Sequence, residues 1–451
     1  EKRKNIFLKN IFQVFKNTHY LFKLWISKNN KRKNKIKNSK NITLIDIFFI
    51  PKMFLNNTFK DRYYGDLINW VENDQYNIFF FPNIFHKAIQ RNFINLAEKK
   101  INIILQSDFL KLKDYLKSLF FFRRVKNFNL KNIYFEGLNI EDLIRNELNN
   151  NKFSQPTLIS LLNFFCFKRM KEEKVDLRQV IDWYENQIVD KGFNYGKNYF
   201  FPKIVSKGYL GLNSILEINP NFIPSKFEIS KNISPKKICL ISPKYFKIYK
   251  KNKKDIEFCL APAFRNQNLF DQKYLVNKNI KNNNVFKILI NFTGFHFDNL
   301  EMINFINKCE ILKSEQISVF IRPHQESKKD VFKKISKEIK YYFSEKNFYD
   351  EMKNTDILIS RSSTACFESL IFGVPVLITR RVGGFLPIKN HESFPSNLWF
   401  FNNDPLDLEH NIKKIISNKN KYYLQSLEER QKLLKDYFYP ISKENITNFL
   451  R

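Results

Sequence analysis

Apolar and polar residues alternate in blocks along Asp356 to Thr379, DILISRSSTACFESLIFGVPVLIT. Ile357-Leu358-Ile359 is a short apolar run of the kind that forms a strand buried on both faces. Ser360 to Thr364 is a polar turn rich in residues that cap helices. Ala365 to Phe372 spans two helical turns, and Gly373 falls where a left-handed residue commonly ends a helix. Val374 to Thr379 is a second β-branched strand. The pattern predicts strand, polar loop, short helix and strand, one right-handed βαβ unit of a parallel sheet.

Similar blocks continue on the N-terminal side. Ile42-Thr43-Leu44-Ile45, Tyr76 to Phe81 and Ile101 to Leu105 read as strands. Leu67 to Asn73 and Phe85 to Lys100 read as helices, and helical periodicity resumes up to Phe122. Val180 to Gly192, VIDWYENQIVDKG, has helical spacing with Val180, Trp183 and Tyr184 on one side. Ile238 to Ser242 and Ile256 to Leu260 are strands, the second running into Ala261-Pro262-Ala263-Phe264-Arg265. The Lys/Asn-rich stretch Leu275 to Asn284 predicts a link between two domains. Beyond it come a strand at Phe286 to Asn291, a loop with Thr293-Gly294 and His296, and a helix over Leu300 to Leu312. A strand at Ile317 to Ile321 then ends in Arg322-Pro323-His324-Gln325, and Leu406 to Leu450 predicts C-terminal helices. Such alternation implies α/β domains with parallel sheets.

The N-terminal stretch differs. Ile6 to Ile26 sets Phe7, Ile11, Val14, Phe15, Leu21, Phe22 and Trp25 against Lys9, Lys16 and Lys23. That is an amphipathic basic helix. It suits the surface of an anionic bilayer, and it suits packing on its own domain, the reading preferred here. Ser27 to Asn41 is Lys/Asn-rich and reads as a solvated connector.

At 451 residues the chain has room for two or three domains, and a hydrophobic fraction of 43% fits globular folding. Its net charge is +33, which favours polyanions as partners. Phe, Lys, Asn and Ile are abundant while Gly (10) and Trp (4) are scarce. A/T-rich codons produce that bias, and coding bias is the simpler source of the charge. Lysines are spread along the whole chain without a recognition module, so no specific nucleic-acid partner is expected. The five cysteines, Cys166, Cys239, Cys259, Cys309 and Cys366, are scattered with no C-x-x-C pair. Neither a disulfide framework nor a zinc site is expected, and a reducing cytoplasm fits. No apolar run reaches the roughly 18 residues of a membrane helix.

Candidate chemistry gathers at predicted strand ends, where open α/β sheets bind ligands. Helix starts carry unpaired N–H groups and suit phosphate, and Ser362, Ser363 and Thr364 add hydroxyls there. Glu368, four residues after Thr364, lies on the same helix face and suits a pair of sugar or ribose hydroxyls. Gly294 lets backbone approach a ligand. Arg322 and His324 put a cation and an imidazole at another strand end, His324 being a catalytic as well as a donor-binding candidate, and Arg265 suits a donor phosphate. Arg380, Arg381, Gly383 and Gly384 form a basic loop. In Val180 to Gly192, Glu185, Asn186 and Gln187 beside two aromatics suit a carbohydrate. Glu185 is the first candidate for a general base. No D-x-D triplet, G-x-x-x-x-G-K-[ST] loop or G-x-G-x-x-G fingerprint occurs.

The Ser-rich turn, the helix with a glutamate and the G-V-P-V strand resemble the nucleotide-binding unit of GT-B-fold glycosyltransferases. They are most like bacterial surface-polysaccharide transferases of the capsule, O-antigen, sialyl and teichoic-acid types. The resemblance covers Val285 to Asn403 well and the first half weakly. Related transferases carry a basic-residue/His/Pro motif near Arg322; here the order is Pro then His. The resemblance implies two Rossmann-like domains facing a cleft, with C-terminal helices that cross back to the first. Residues 1–41 would be a basic helix and linker, 42–275 the acceptor-side domain and 276–451 the nucleotide-sugar domain. It further implies a metal-independent glycosyltransferase with no cofactor beyond a CMP- or UDP-linked sugar co-substrate. The acceptor would be a carbohydrate or lipid-linked molecule at the cytoplasmic face. A polyol-phosphate transferase, a nucleic-acid-binding protein and an inactive scaffold are the alternatives.

Overall fold

The computed structural model describes residues 2–49, 53–55, 58–65, 67–71, 76–84, 91–125, 128, 130–212, 222–252, 255–271, 285–324, 327, 329–361, 363–380 and 397–451. Two six-stranded parallel sheets dominate it. The first contains β1 (Ile42–Phe49), β2 (Ile78–Ile84), β3 (Leu177–Trp183), β4 (Val205–Leu210), β5 (Lys237–Leu240) and β6 (Glu257–Leu260). Its order is β6-β5-β4-β3-β1-β2. The second contains β7 (Phe286–Asn291), β8 (Ile317–Arg322), β9 (Tyr341–Phe343), β10 (Ile357–Ser360), β11 (Val376–Thr379) and β12 (Trp399–Asn402), in the order β9-β8-β7-β10-β11-β12.

The apolar runs account for these strands. In β10 and β11 every residue is buried, as parallel strands covered on both faces require. The second sheet grows from β7 to one side and then, from β10, to the other. Its switch point therefore lies between β7 and β10, where Asn291 and Ser360 are register partners. Open α/β sheets bind ligands at such a point. Gly373 has φ +71 and ends the helix Ala365–Ile371 as expected. A Cβ there would lie 2.5 Å from Ser426 Oγ.

Three C-terminal helices follow, Pro405–Ser417, Lys419–Tyr437 and Lys443–Leu450, and the chain crosses back to the first sheet. Tyr439 N–H donates to Ile241 O at 2.6 Å, and Ala263 N–H donates to Tyr439 O at 3.0 Å. Phe449 packs between Tyr209 and Phe264, and Lys207 Nζ donates to Phe449 O at 2.6 Å. These contacts tie the two lobes together. The chain has the GT-B architecture: two Rossmann-like domains facing a cleft, with C-terminal helices.

Four expectations need correction. Ser27 to Asn41, and with it the linker half of 1–41, is no solvated connector. Asn29 caps a helix at Asn30–Asn38, in which Arg32 and Ile36 are buried at i,i+4 spacing. Arg32 bonds both oxygens of Asp108, at 2.5 and 2.6 Å. Lys/Asn-rich composition conceals one inward-facing pair. Val180 to Gly192 is not one helix. It is the end of β3, a turn, and a helix starting at Ile188, because a fully buried strand shows no period that separates it from a helix. Ile101 to Leu105 makes only a bridge from Ile103 to Phe80. Finally, Cys239 and Cys259 are register partners on β5 and β6, with Cα atoms 4.7 Å apart, and form a disulfide. Sequence spacing does not reveal pairing across neighbouring parallel strands. The predicted link Leu275 to Asn284 lies outside the described residues.

Candidate functional site

The carboxyl end of β3 delivers Trp183, Tyr184 and then the turn Glu185–Gln187. Asp190, in the first turn of the next helix, holds that turn. Its Oδ2 accepts the N–H groups of Glu185 at 3.1 Å and Gln187 at 2.8 Å. The bonded turn sustains Asn186 at φ +57, a conformation that Asn tolerates better than most residues. Asn186 Oδ1 accepts from Tyr184 OH at 2.8 Å and from Lys191 Nζ, so the protein itself uses that oxygen. Gln187 is exposed, and its Nε2 donates to Glu185 Oε2 at 2.7 Å.

Glu185 also bonds the Tyr63 hydroxyl, and Arg265 and Arg62 stand near it. Burial nevertheless pushes its carboxyl above the usual range, against the bonds and cations that lower it. A raised carboxyl is the state that general-base work at neutral pH exploits. Below it lies a buried acidic group. Asp46 on β1 and Asp182 on β3 bond each other. Asn83 donates to Asp46 at 2.6 Å and Asn194 donates to Asp182.

The turn after β6 supplies Arg265 and Asn266. The Arg265 guanidinium lies 5.6 Å from the Tyr63 ring centre. It interacts electrostatically with Glu185 of the first lobe and with Glu368 of the second. Asn266 Nδ2 donates to Glu368 Oε1 at 3.0 Å across the lobe boundary, and the Tyr349 hydroxyl also bonds Glu368. Burial raises the Glu368 carboxyl, while Arg265, these two bonds and Arg322 oppose the shift.

On the second sheet, Asn291 Nδ2 reaches Ser363 Oγ at 3.3 Å, and Ser363 Oγ accepts Ala365 N–H at 3.2 Å. Ser363 is thus a cap, while Thr364 makes no side-chain cap bond. Arg322 Nη1 donates to Lys346 O at 2.8 Å, and its guanidinium lies 5.7 Å from the Phe348 ring centre. Burial lowers its pKa, against the pull of Glu351 and Glu368. Arg361 is wholly buried and donates to Glu301, Asp298 and the carbonyls of Thr379 and Arg380. It clamps the ends of β10 and β11 to the helix His296–Asn307.

Between the lobes, Gly211, Arg265, Asn266, Thr364, Phe367, Glu368 and Phe438 line a narrow crevice partly open to solvent. Of the sequence candidates, the structure gathers Arg265, Thr364 and Glu368 here, with Glu185 and Arg322 in electrostatic reach. Ser363 caps the adjoining helix. His324 is exposed beyond β8, and Gly294 sits between β7 and the next helix; neither lines the crevice. Ser362, Gln325, Arg381, Gly383 and Gly384 lie outside the described residues. Sequence reasoning missed Asn266, Tyr349, Phe367, Phe438 and Tyr63. Asn266 had a signal, since it directly follows Arg265; the others are ordinary aromatics in sequence. Among the described residues, no group of three or more His, Cys, Asp or Glu is placed to hold a metal ion.

No protein-family model matches the sequence, and no curated protein matches it. Solved structures do match. A protein from Listeria monocytogenes described as a UDP-N-acetylglucosamine 2-epimerase aligns with TM-score 0.53 and 11% identity, over 91% of this chain and 95% of that one. MnaA from S. aureus, in complex with UDP, aligns with TM-score 0.50 and 12% identity, over 91% and 95%. MurG from Acinetobacter baumannii aligns with TM-score 0.49 and 10% identity, over 91% and 99%. At these identities the likeness is one of fold.

Proposed function

We propose that this chain is a glycosyltransferase that moves a sugar from a nucleotide-activated donor to a carbohydrate or lipid-linked acceptor, without a metal. One observation carries the reading: Arg265 lines the crevice and interacts electrostatically with a carboxylate on each lobe, Glu185 and Glu368. The first lobe takes the acceptor, through Glu185, Asn186 and Gln187. The second takes the donor, through Thr364 and Glu368 at the crevice and Arg322 in electrostatic reach; Gly294, His324, Ser362 and Ser363 are further donor-binding candidates from the sequence, beyond the crevice lining. The structural neighbours that bind UDP or act on UDP-sugars support a nucleotide sugar as co-substrate; CMP- and UDP-linked sugars are the first to test.

In this scheme the Glu185 carboxylate takes the proton of the acceptor hydroxyl. The new C–O bond forms at the anomeric carbon of the donor sugar as that carbon's bond to the phosphate oxygen breaks, and the electron pair leaves on the phosphate oxygen. Arg265 and Arg322, both half-buried, neutralise the growing charge. Glu368 bonds the donor's hydroxyls in place of Asn266 or Tyr349. Surface-polysaccharide assembly is the setting the sequence resemblance favours.

Thermal-shift titration with CMP, UDP, GDP and CDP tests the donor site. One nucleotide is expected to raise the melting temperature, and Glu368→Ala is expected to reduce that shift. Glu185→Gln is expected to abolish transfer with nucleotide binding intact; full activity would remove the base role. A product that is an epimer of the donor sugar, formed without an acceptor, would replace transfer by epimerisation. A polyol-phosphate product would assign the teichoic-acid-type reaction.

A further inference from the structure

The N-terminal helix Lys2–Ile26 packs through Tyr20, Leu21 and Leu24, which are buried. Among the described residues, large apolar side chains on its other side are exposed. Phe15 is 72% exposed, Phe22 56% and Trp25 52%. Helical geometry puts Ile11, Phe15, Phe22 and Ile26 on one face. The helix Leu112–Leu119 lies against it, with Tyr115 turned toward Tyr20. That second helix has its own uncovered row, Leu112, Leu116 and Phe120, at i,i+4 spacing.

The helix Lys2–Ile26 is tied, through its buried side, to the aromatic residues at the end of the second row. Asn17 Nδ2 donates to Phe153 O at 3.0 Å, the Phe153 ring lies 4.8 Å from Phe122, and Phe122 lies 6.2 Å from Phe120. The result is an aromatic and aliphatic ridge facing away from the core. Two rows of exposed large apolar side chains on neighbouring helices are the kind of feature that marks an interaction surface.

Charge says what covers it. Residues 2–40 hold thirteen Lys and Arg and no Asp or Glu, so under a tenth of the chain supplies +13 of its +33. Coding bias spreads lysine evenly; it does not clear a segment of acids. Lys113, Lys117 and Arg123 are exposed along the second row. A second copy of this chain would bring the same positive charge to the contact and be repelled. An anionic lipid surface complements both the ridge and its cations, and rings at this depth are favourable in the headgroup layer.

We propose that these two helices form a docking surface for an anionic bilayer, with Phe15, Phe22 and Trp25 inserted into the headgroup layer and the flanking lysines on lipid phosphates. No residue of these two helices is among those proposed for the donor or the acceptor, so the failure of this surface and the failure of the transferase reading are separate results.

The test is co-sedimentation of the full chain with vesicles of phosphatidylcholine alone and of phosphatidylcholine with 30% phosphatidylglycerol, at about 0.1 M salt. Binding to the anionic vesicles, at least tenfold tighter than to the neutral ones and accompanied by a blue shift of tryptophan emission, is expected. Phe15→Ser/Phe22→Ser removes only exposed rings, so its melting temperature should match the parent while vesicle affinity falls at least tenfold. No binding to anionic vesicles overturns the proposal. So does unchanged binding by the double variant, which would leave charge alone, and so does a dimer in light scattering that this variant dissociates.

Discussion

Asp46→Asn should stabilise the first lobe at neutral pH and flatten its pH dependence. Asp46 and Asp182 are completely buried on adjacent strands. Asn83 serves Asp46 Oδ1 and Asn194 serves Asp182 Oδ2. Asp46 Oδ2 and Asp182 Oδ1 find no amide or hydroxyl side-chain donor among the described residues; the Ile47 backbone also bonds Asp46, and the two carboxyls face each other. Two carboxyls joined this way share a proton. Burial, and the nearby charge of Asp190, push both well above the ordinary aspartate range. The unfolded chain releases such a proton near pH 4, whereas the folded lobe keeps it. Above about pH 4 the native state therefore binds more protons, and stability falls as pH rises until the pair ionises. Linkage sets the slope at about 1.4 kcal/mol per pH unit for each retained proton.

Asp190, raised to about 7, and Asp61, raised to about 6, add slope of the same sign across the acid half of the window. The reading concerns the difference between parent and variant. Asparagine at 46 can donate to Asp182 without a shared proton, which removes one proton's slope. Between pH 5 and pH 7 that amounts to roughly 2.7 kcal/mol in favour of the variant. Urea unfolding followed by tryptophan emission from pH 5 to 7.5 measures it, since Trp183 is buried at the end of β3. The window stops short of the buried Lys197 and Lys207, lowered to about 8 by desolvation, whose slope has the opposite sign. A parent whose stability rises over this range, or a variant with the parental slope, would refute the shared proton.

The remaining predictions concern contacts across the lobes and at strand ends. Asn266→Ala leaves Glu368 one donor short, and unfolding should show a loss of about 1.5–3 kcal/mol, typical of a bond to a charged group. A double-mutant cycle with Glu368→Ala that gave coupling under about 0.5 kcal/mol would count against the interlobe bond. Arg361→Met strands Glu301, Asp298 and two carbonyls, and should cost about 3–5 kcal/mol by denaturant titration. Arg361→Lys should recover little, because a single ammonium cannot reach donors' partners in four directions; full recovery would contradict the clamp.

Much of the second lobe is legible in the chain. The runs at 286–291, 317–321 and 357–359 are strands because they are short, apolar and bounded by polar turns. Gly373 ends its helix because its backbone is left-handed. Strand ends in a parallel sheet share one edge, so placing Arg322, Thr364 and Glu368 near one another needed only the order of strands. Arg265 was legible for the same reason, at a strand end of the first lobe.

Residues 177–187 mark where local pattern stops. A strand buried on both faces has no polar period, so the spacing of Val180 to Trp183 reads as helical although β1 and β4 flank it as a strand. Arg32 with Asp108, Asp46 with Asp182, Asn266 with Glu368 and Cys239 with Cys259 are partners far apart in sequence, and composition is silent about them. Periodicity reports which side of an element is buried, and so the chain alone determined its parallel-sheet architecture and the edge that carries chemistry. What a buried side chain meets depends on how separate elements stack, and so the tertiary structure alone decided that Arg265 interacts with both Glu185 and Glu368, and that two helices leave a basic, aromatic ridge uncovered.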